Sequence, residues 1–110
     1  MKLPDPLARR HLLEGDLDSV KALAYGEAYL EAGREVEAVD FLGVAEANEL
    51  LAGLQVAAVE RGDVFLMRIA SAALSDEPSS ERWTQLADVA SAAGRERDAE
   101  TGRRLATVRD

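Results

Sequence analysis

His11 and Glu14 stand three residues apart in a segment that reads as helix, a spacing that puts an imidazole and a carboxylate on one face. Di-metal helical bundles use such pairs, but they need several inward carboxylates and a second histidine. His11 is the single histidine of the chain, and Arg9 and Arg10 precede it, so it reads as a solvated surface residue. For the same reason no serine has a dedicated base with which to build a triad. Glu27 with Glu31, and Asp16 with Asp18, are spaced as acid–base couples could be. Acids at those intervals are ordinarily the wet face of a helix or its cap. Arg61-Gly62-Asp63 spells an adhesion tripeptide, yet it reads more simply as a helix end, a turn and the next helix's cap. Gly26, Gly33 and Gly43 follow no strand and precede no lysine at the interval of a phosphate loop. The expectation is a protein with no catalytic residue, no cofactor and no metal site.

What would position such residues is a small helical domain. The chain has 110 residues, 47% hydrophobic and 31% charged, which suits one folded domain over 1–110 with a modest core. Alanine and leucine dominate the apolar set, and both lose little freedom in a helix. The formal charge is −8 and uneven: residues 1–60 hold 12 acids and 5 bases, residues 61–110 hold 9 and 8. That balance argues against nucleic acid, which needs a basic stripe. No apolar run reaches the roughly 18 residues of a membrane span. The opening "MKLPDPLARR" lacks the apolar stretch of a signal peptide, and there is no cysteine, so a cytoplasmic protein away from membranes is expected.

Helix punctuation divides the chain into about seven short helices and no strand, an all-α class. Asp5 and Pro6 open a first helix that Gly15 stops, over about 5–15. Asp16 or Asp18 caps a second, which runs to Gly33. A third spans Glu35 to Glu46, with Ala38, Phe41, Leu42 and Ala45 inward. Asn48 caps a fourth that ends at Gly62, and Asp63 a fifth that is apolar on nearly every side except Arg68 and Ser71. Pro78 breaks the chain in the one evident loop, Ser79 or Ser80 caps a sixth, and a polar last helix runs from Arg95 to Arg109. On the sixth, Trp83, Leu86, Ala87 and Ala90 share an inward face. The last offers only Ala99, Leu105, Ala106 and Val108 to a core. Turns this short make consecutive helices antiparallel neighbours.

Gly33, Gly62 and Gly94 each end one helix and start another. Set in register, they align Ala22, Leu51 and Trp83, then Gly26, Gln55 and Ala87, then Tyr29, Ala58 and Ala90. Beyond the glycines the alignment pairs Ala38, Met67 and Ala99, then Ala45, Leu74 and Ala106. With Gly26, Tyr29, Gly33, Ala38 and Ala45 in one unit and Trp83, Leu86, Ala87, Gly94, Ala99 and Ala106 in another, the chain resembles the tetratricopeptide family of helix–turn–helix repeats. The glycines are 29 and 32 residues apart, against about 34 in a regular repeat. The middle unit keeps little beyond its glycine and apolar positions, and no proline closes the first two units. The resemblance implies a short right-handed α-solenoid of hairpins over about 17–46, 48–75 and 79–109, preceded by the N-terminal helix.

It also implies a concave groove lined by the first helix of each hairpin. That would comprise Val20, Leu23, Glu27, Leu30 and Glu31 from the first unit, and Glu49, Ala52, Val56, Val59 and Glu60 from the second. Glu81, Thr84, Asp88 and Ser91 would follow from the third. One subgroup of the family clamps acidic C-termini with basic residues. The corresponding sites here are Leu23, Glu27, Gly53, Glu81 and Gln85, none of them basic. An apolar groove edged with glutamates suits a peptide or helix of basic, amphipathic character from another protein. The alternative is a self-associating structural protein, a homo-oligomer whose groove is filled by another copy or by its own N-terminal helix.

Overall fold

The computed structural model describes residues 2–108. They form α1 (Pro6–Glu14), α2 (Ser19–Glu31), α3 (Glu35–Val44), α4 (Asn48–Arg61), α5 (Val64–Leu74), α6 (Ser80–Ala92) and α7 (Glu96–Val108). Among the described residues there is no strand. The expected end of the last helix at Arg109 lies outside the described residues. No described helix is long and apolar enough to cross a membrane.

Local chemistry accounts for most boundaries. Asp5, Asp18, Asp63 and Ser79 stand in extended backbone just before a helix, and their side chains accept from the amides of Ala8, Lys21, Leu66 and Arg82. Such caps satisfy donors that the first helical turn leaves unpaired, each contributing about 1 kcal/mol. Asp18, not Asp16, therefore caps α2. Two expected boundaries need correction: α3 ends at Val44 rather than Glu46, and Asn48 is the first residue of α4 rather than its cap. One turn explains both. Glu46 takes φ 53°, its amide donates to Gly43 O at 3.1 Å, and the Ala47 amide donates to Leu42 O at 3.0 Å. This paired closure through a left-handed residue terminates a helix.

The same closure recurs at Gly33, Gly62 and Gly94, with φ of 74°, 67° and 77°, and at Ser75, with φ 54°. In each case the residue that follows donates back to the carbonyl five positions upstream: Arg34 to Tyr29, Asp63 to Ala58, Arg95 to Ala90 and Asp76 to Ser71. Glycine enters this conformation without a Cβ penalty, whereas Glu46 and Ser75 bear one.

The chain divides into two compact units, Met1–Leu51 and Ala52–Asp110, with α4 beginning in the first and continuing in the second. In the first, α2 folds back on α3, burying Ala22, Gly26 and Tyr29 against Ala38, Val39, Phe41 and Leu42. Gly26 is where the two helices come closest: a Cβ there would lie 2.6 Å from the Leu42 side chain. The Tyr29 and Phe41 rings stack at 5.5 Å, and Arg9 of α1 covers both, its guanidinium 5.8 and 5.4 Å from the ring centres. Arg9 also donates to Glu37 O and to the Asp40 carboxylate, each at 2.9 Å, so α1 is fastened to α3. The Arg34 guanidinium also lies over Tyr29, 5.1 Å from the ring centre, and pairs with Glu37, which holds the Glu37 carboxyl below its ordinary range.

In the second unit α7 packs on α6 and reaches α5. Trp83, Leu86, Ala87 and Ala90 of α6 meet Ala99, Gly102 and Ala106 of α7, and the Ser80 hydroxyl donates to Ala106 O at 2.8 Å. Ser71, one of the two polar positions on the fifth helix, is buried, and its hydroxyl accepts from the buried Gln55 amide at 3.0 Å, while the apolar Phe65 of the same helix is 59% exposed. Val108, expected in the core, is 75% exposed.

Candidate functional site

The residues aligned on the three glycines share one behaviour. Ala22, Leu51 and Trp83 are buried, as are Gly26, Gln55 and Ala87, then Tyr29, Ala58 and Ala90, and Ala38, Met67 and Ala99. Only at the last set does burial differ, Ala106 being buried and Ala45 and Leu74 half-buried. Helices α2, α4 and α6 thus point equivalent positions inward, and their opposite faces outward by the same geometry.

On α2 the outward residues are Val20, Glu27 and Glu31, with Val20 78% exposed; Leu23 and Leu30 are half-buried on its flank. On α4 they are Glu49, Ala52, Gly53, Val56 and Glu60, with Val56 53% exposed and Val59 half-buried beside it. The α6 face carries Glu81, Thr84, Gln85 and Asp88, with Ser91 half-buried. Each face mixes small or apolar positions with carboxylates and has no basic residue of its own. The face of α4 is an apolar middle with an acid at either end, and a Cβ on Gly53 would meet open space.

Within the first unit, Glu27, Leu30 and Glu31 are brought together with Leu50 around one open hollow. Val20 and Leu23 lie outside it. A neighbouring hollow takes in Leu3, Ala24, Glu27, Ala28, Glu31 and Ala32. Glu27 and Glu31 are one helical turn apart, and like charges so placed repel by a few tenths of a kcal/mol. No ion pair engages Glu27, Glu31, Glu49 or Glu60 among the described residues. In the second unit, Ala52, Val56, Val59 and Glu60 lie along α4.

Leu50 and Leu3 were not among the expected lining residues. The register of α4 places Leu50 about 100° round from Glu49, so helical periodicity could have put it at the edge of that face. Leu3 belongs to no helix, and only the proline after it hints at extended backbone. No cluster of metal-ligating side chains occurs among the described residues, and His11 is exposed. No protein-family model, curated protein or solved structure matches this chain.

Proposed function

We propose that this chain is a tetratricopeptide-like module, a short right-handed solenoid of hairpins, that binds a basic, amphipathic segment of another protein and catalyses nothing. The observation that supports it most is the face of α4, where Ala52 and Val56 form an exposed apolar strip between Glu49 and Glu60. A helix face with that pattern is complementary to a segment presenting apolar anchors flanked by Lys or Arg. Val56 and Val59 supply the floor. Exposed acid–base pairs contribute only about 0–1 kcal/mol each, so the floor carries most of the affinity. The acids of α2 and α4 set the rate of encounter and the choice of partner, and their influence fades as salt rises.

The test is a titration with two synthetic amphipathic peptides of identical apolar pattern, one built with Lys and one with Glu. The Lys peptide should bind and the Glu peptide should not. Glu27→Lys should weaken binding, and more at low salt than at high. Equal binding of both peptides would remove charge from the account; binding of neither would remove the function. In that last event self-association is the competing reading, and a sedimentation experiment on the protein alone decides it.

A further inference from the structure

We propose that the segment Lys2–Pro4 is a built-in strap that lies over part of the outward face of α2 and competes with the partner there, a regulatory feature that rests on the binding function proposed above. Leu3 is half-buried although it belongs to no helix. It lines two hollows, one against α2 shared with Ala24, Glu27, Ala28 and Glu31, the other chiefly against α1 with Ala8, His11 and Leu12, to which α2 contributes Tyr25. Leu3 therefore sits at the level of Ala24 and Ala28, beside two of the carboxylates assigned to partner binding.

Three features fit a strap rather than a loose end. Pro4 biases Leu3 toward extended backbone, and Asp5 is itself extended at φ −71° and ψ 168°, so little conformational freedom is lost when the segment lies flat. Its downstream end is fixed, because Asp5 caps α1 and Arg9 fastens α1 to Glu37 and Asp40. Its composition, a lysine followed by a leucine, repeats in miniature the chemistry expected of the partner, a cation beside an apolar anchor. A partner that needs this part of α2 must displace Leu3, and its apparent affinity falls by the fraction of molecules in which the strap is open.

The chain has no cysteine, so a single Ala28→Cys variant gives a thiol whose alkylation rate reports directly on the cover over α2. Adding Leu3→Ser should speed alkylation several-fold while the denaturation midpoint stays in place. In the otherwise native chain, Leu3→Ser should tighten the Lys peptide about three- to tenfold. An unchanged alkylation rate would show that Leu3 does not cover α2, and the proposal would fall. Faster alkylation with unchanged peptide affinity would show cover without competition, and it would fall equally. Faster alkylation when neither form binds the peptide would locate the failure in the binding function itself, leaving the strap nothing to regulate.

Discussion

A Cβ placed on Gly62 would lie 2.6 Å from the backbone nitrogen of Ala90. Its left-handed backbone, φ 67°, is shared by Gly33 and Gly94, but a Cβ on either of those would meet nothing within 4 Å. The three positions look alike in the chain and differ in what surrounds them. Gly33→Ala and Gly94→Ala should each cost about 1 kcal/mol for the backbone conformation alone. Gly62→Ala should cost about 2–4 kcal/mol, because overpacking against a backbone that cannot step aside adds to that penalty. Urea denaturation of the three variants separates the two effects; equal losses at all three would show that the Gly62–Ala90 approach is not as tight as described.

The turns at Glu46 and Ser75 offer the converse experiment. Both adopt left-handed backbone, with φ of 53° and 54°, without the glycine that suits it. Glu46→Gly and Ser75→Gly should each stabilise the fold by up to about 1 kcal/mol, the relief of strain exceeding the added freedom of the unfolded chain. A drop in thermal midpoint for either would mean that its side chain contributes more than its backbone costs.

These turns also show where the sequence was legible. Caps at Asp5, Asp18, Asp63 and Ser79 and stops at Gly33, Gly62 and Gly94 could be read because each acts within a few residues of itself. The stop at Glu46 could not, since glutamate carries no signal for φ above zero, and so α3 was expected to run two residues further. Burial was read well where helical periodicity dominates, as at Trp83, Leu86, Ala87 and Ala90. It failed at Ser71, whose burial depends on Gln55 sixteen residues away, and at Val108, which was expected in the core and faces solvent. For the candidate site, the residues expected on α2 and α4 came from the family resemblance, and of these Val20, Glu27, Glu31, Glu49, Ala52, Val56 and Glu60 are exposed while Leu23, Leu30 and Val59 are half-buried. The place of Leu3 depends on how a non-helical segment lies on α2, which no local pattern encodes.

Tyr29 is fully buried, and among the described residues neither its hydroxyl nor the Nε of Arg9 has a hydrogen-bond partner. What Arg9 contributes is therefore its stacking on Tyr29 and Phe41 and its bonds to Glu37 and Asp40. Tyr29→Phe should be neutral or stabilising by up to about 1 kcal/mol, since it deletes an unsatisfied buried group. Arg9→Ala should cost about 1–3 kcal/mol and raise amide exchange across α1. A large loss from Tyr29→Phe would reveal a hydrogen bond that the geometry does not contain.

Trp83 is 3% exposed and belongs to the core of the second unit. Trp83→Ala should lower stability by about 3–5 kcal/mol. As the single tryptophan, it also reports on folding, and adding the Lys peptide should leave its emission maximum where it is. A shift on binding would place the partner against α6 from the inward side, contrary to the outward face assigned above.

Val56 is the side chain on which the proposed interaction function turns, being exposed, apolar and flanked along α4 by Ala52 and Glu60. The most direct measurement is a calorimetric titration of the Lys peptide into the native chain and into Val56→Asp, at low and high salt, alongside the denaturation midpoint of each. The native chain should bind, less tightly as salt rises, and Val56→Asp should lose binding while its midpoint stays unchanged, because the residue faces solvent in the free protein. A folded Val56→Asp that binds as tightly as the native chain would contradict the outward face of α4 as the binding surface.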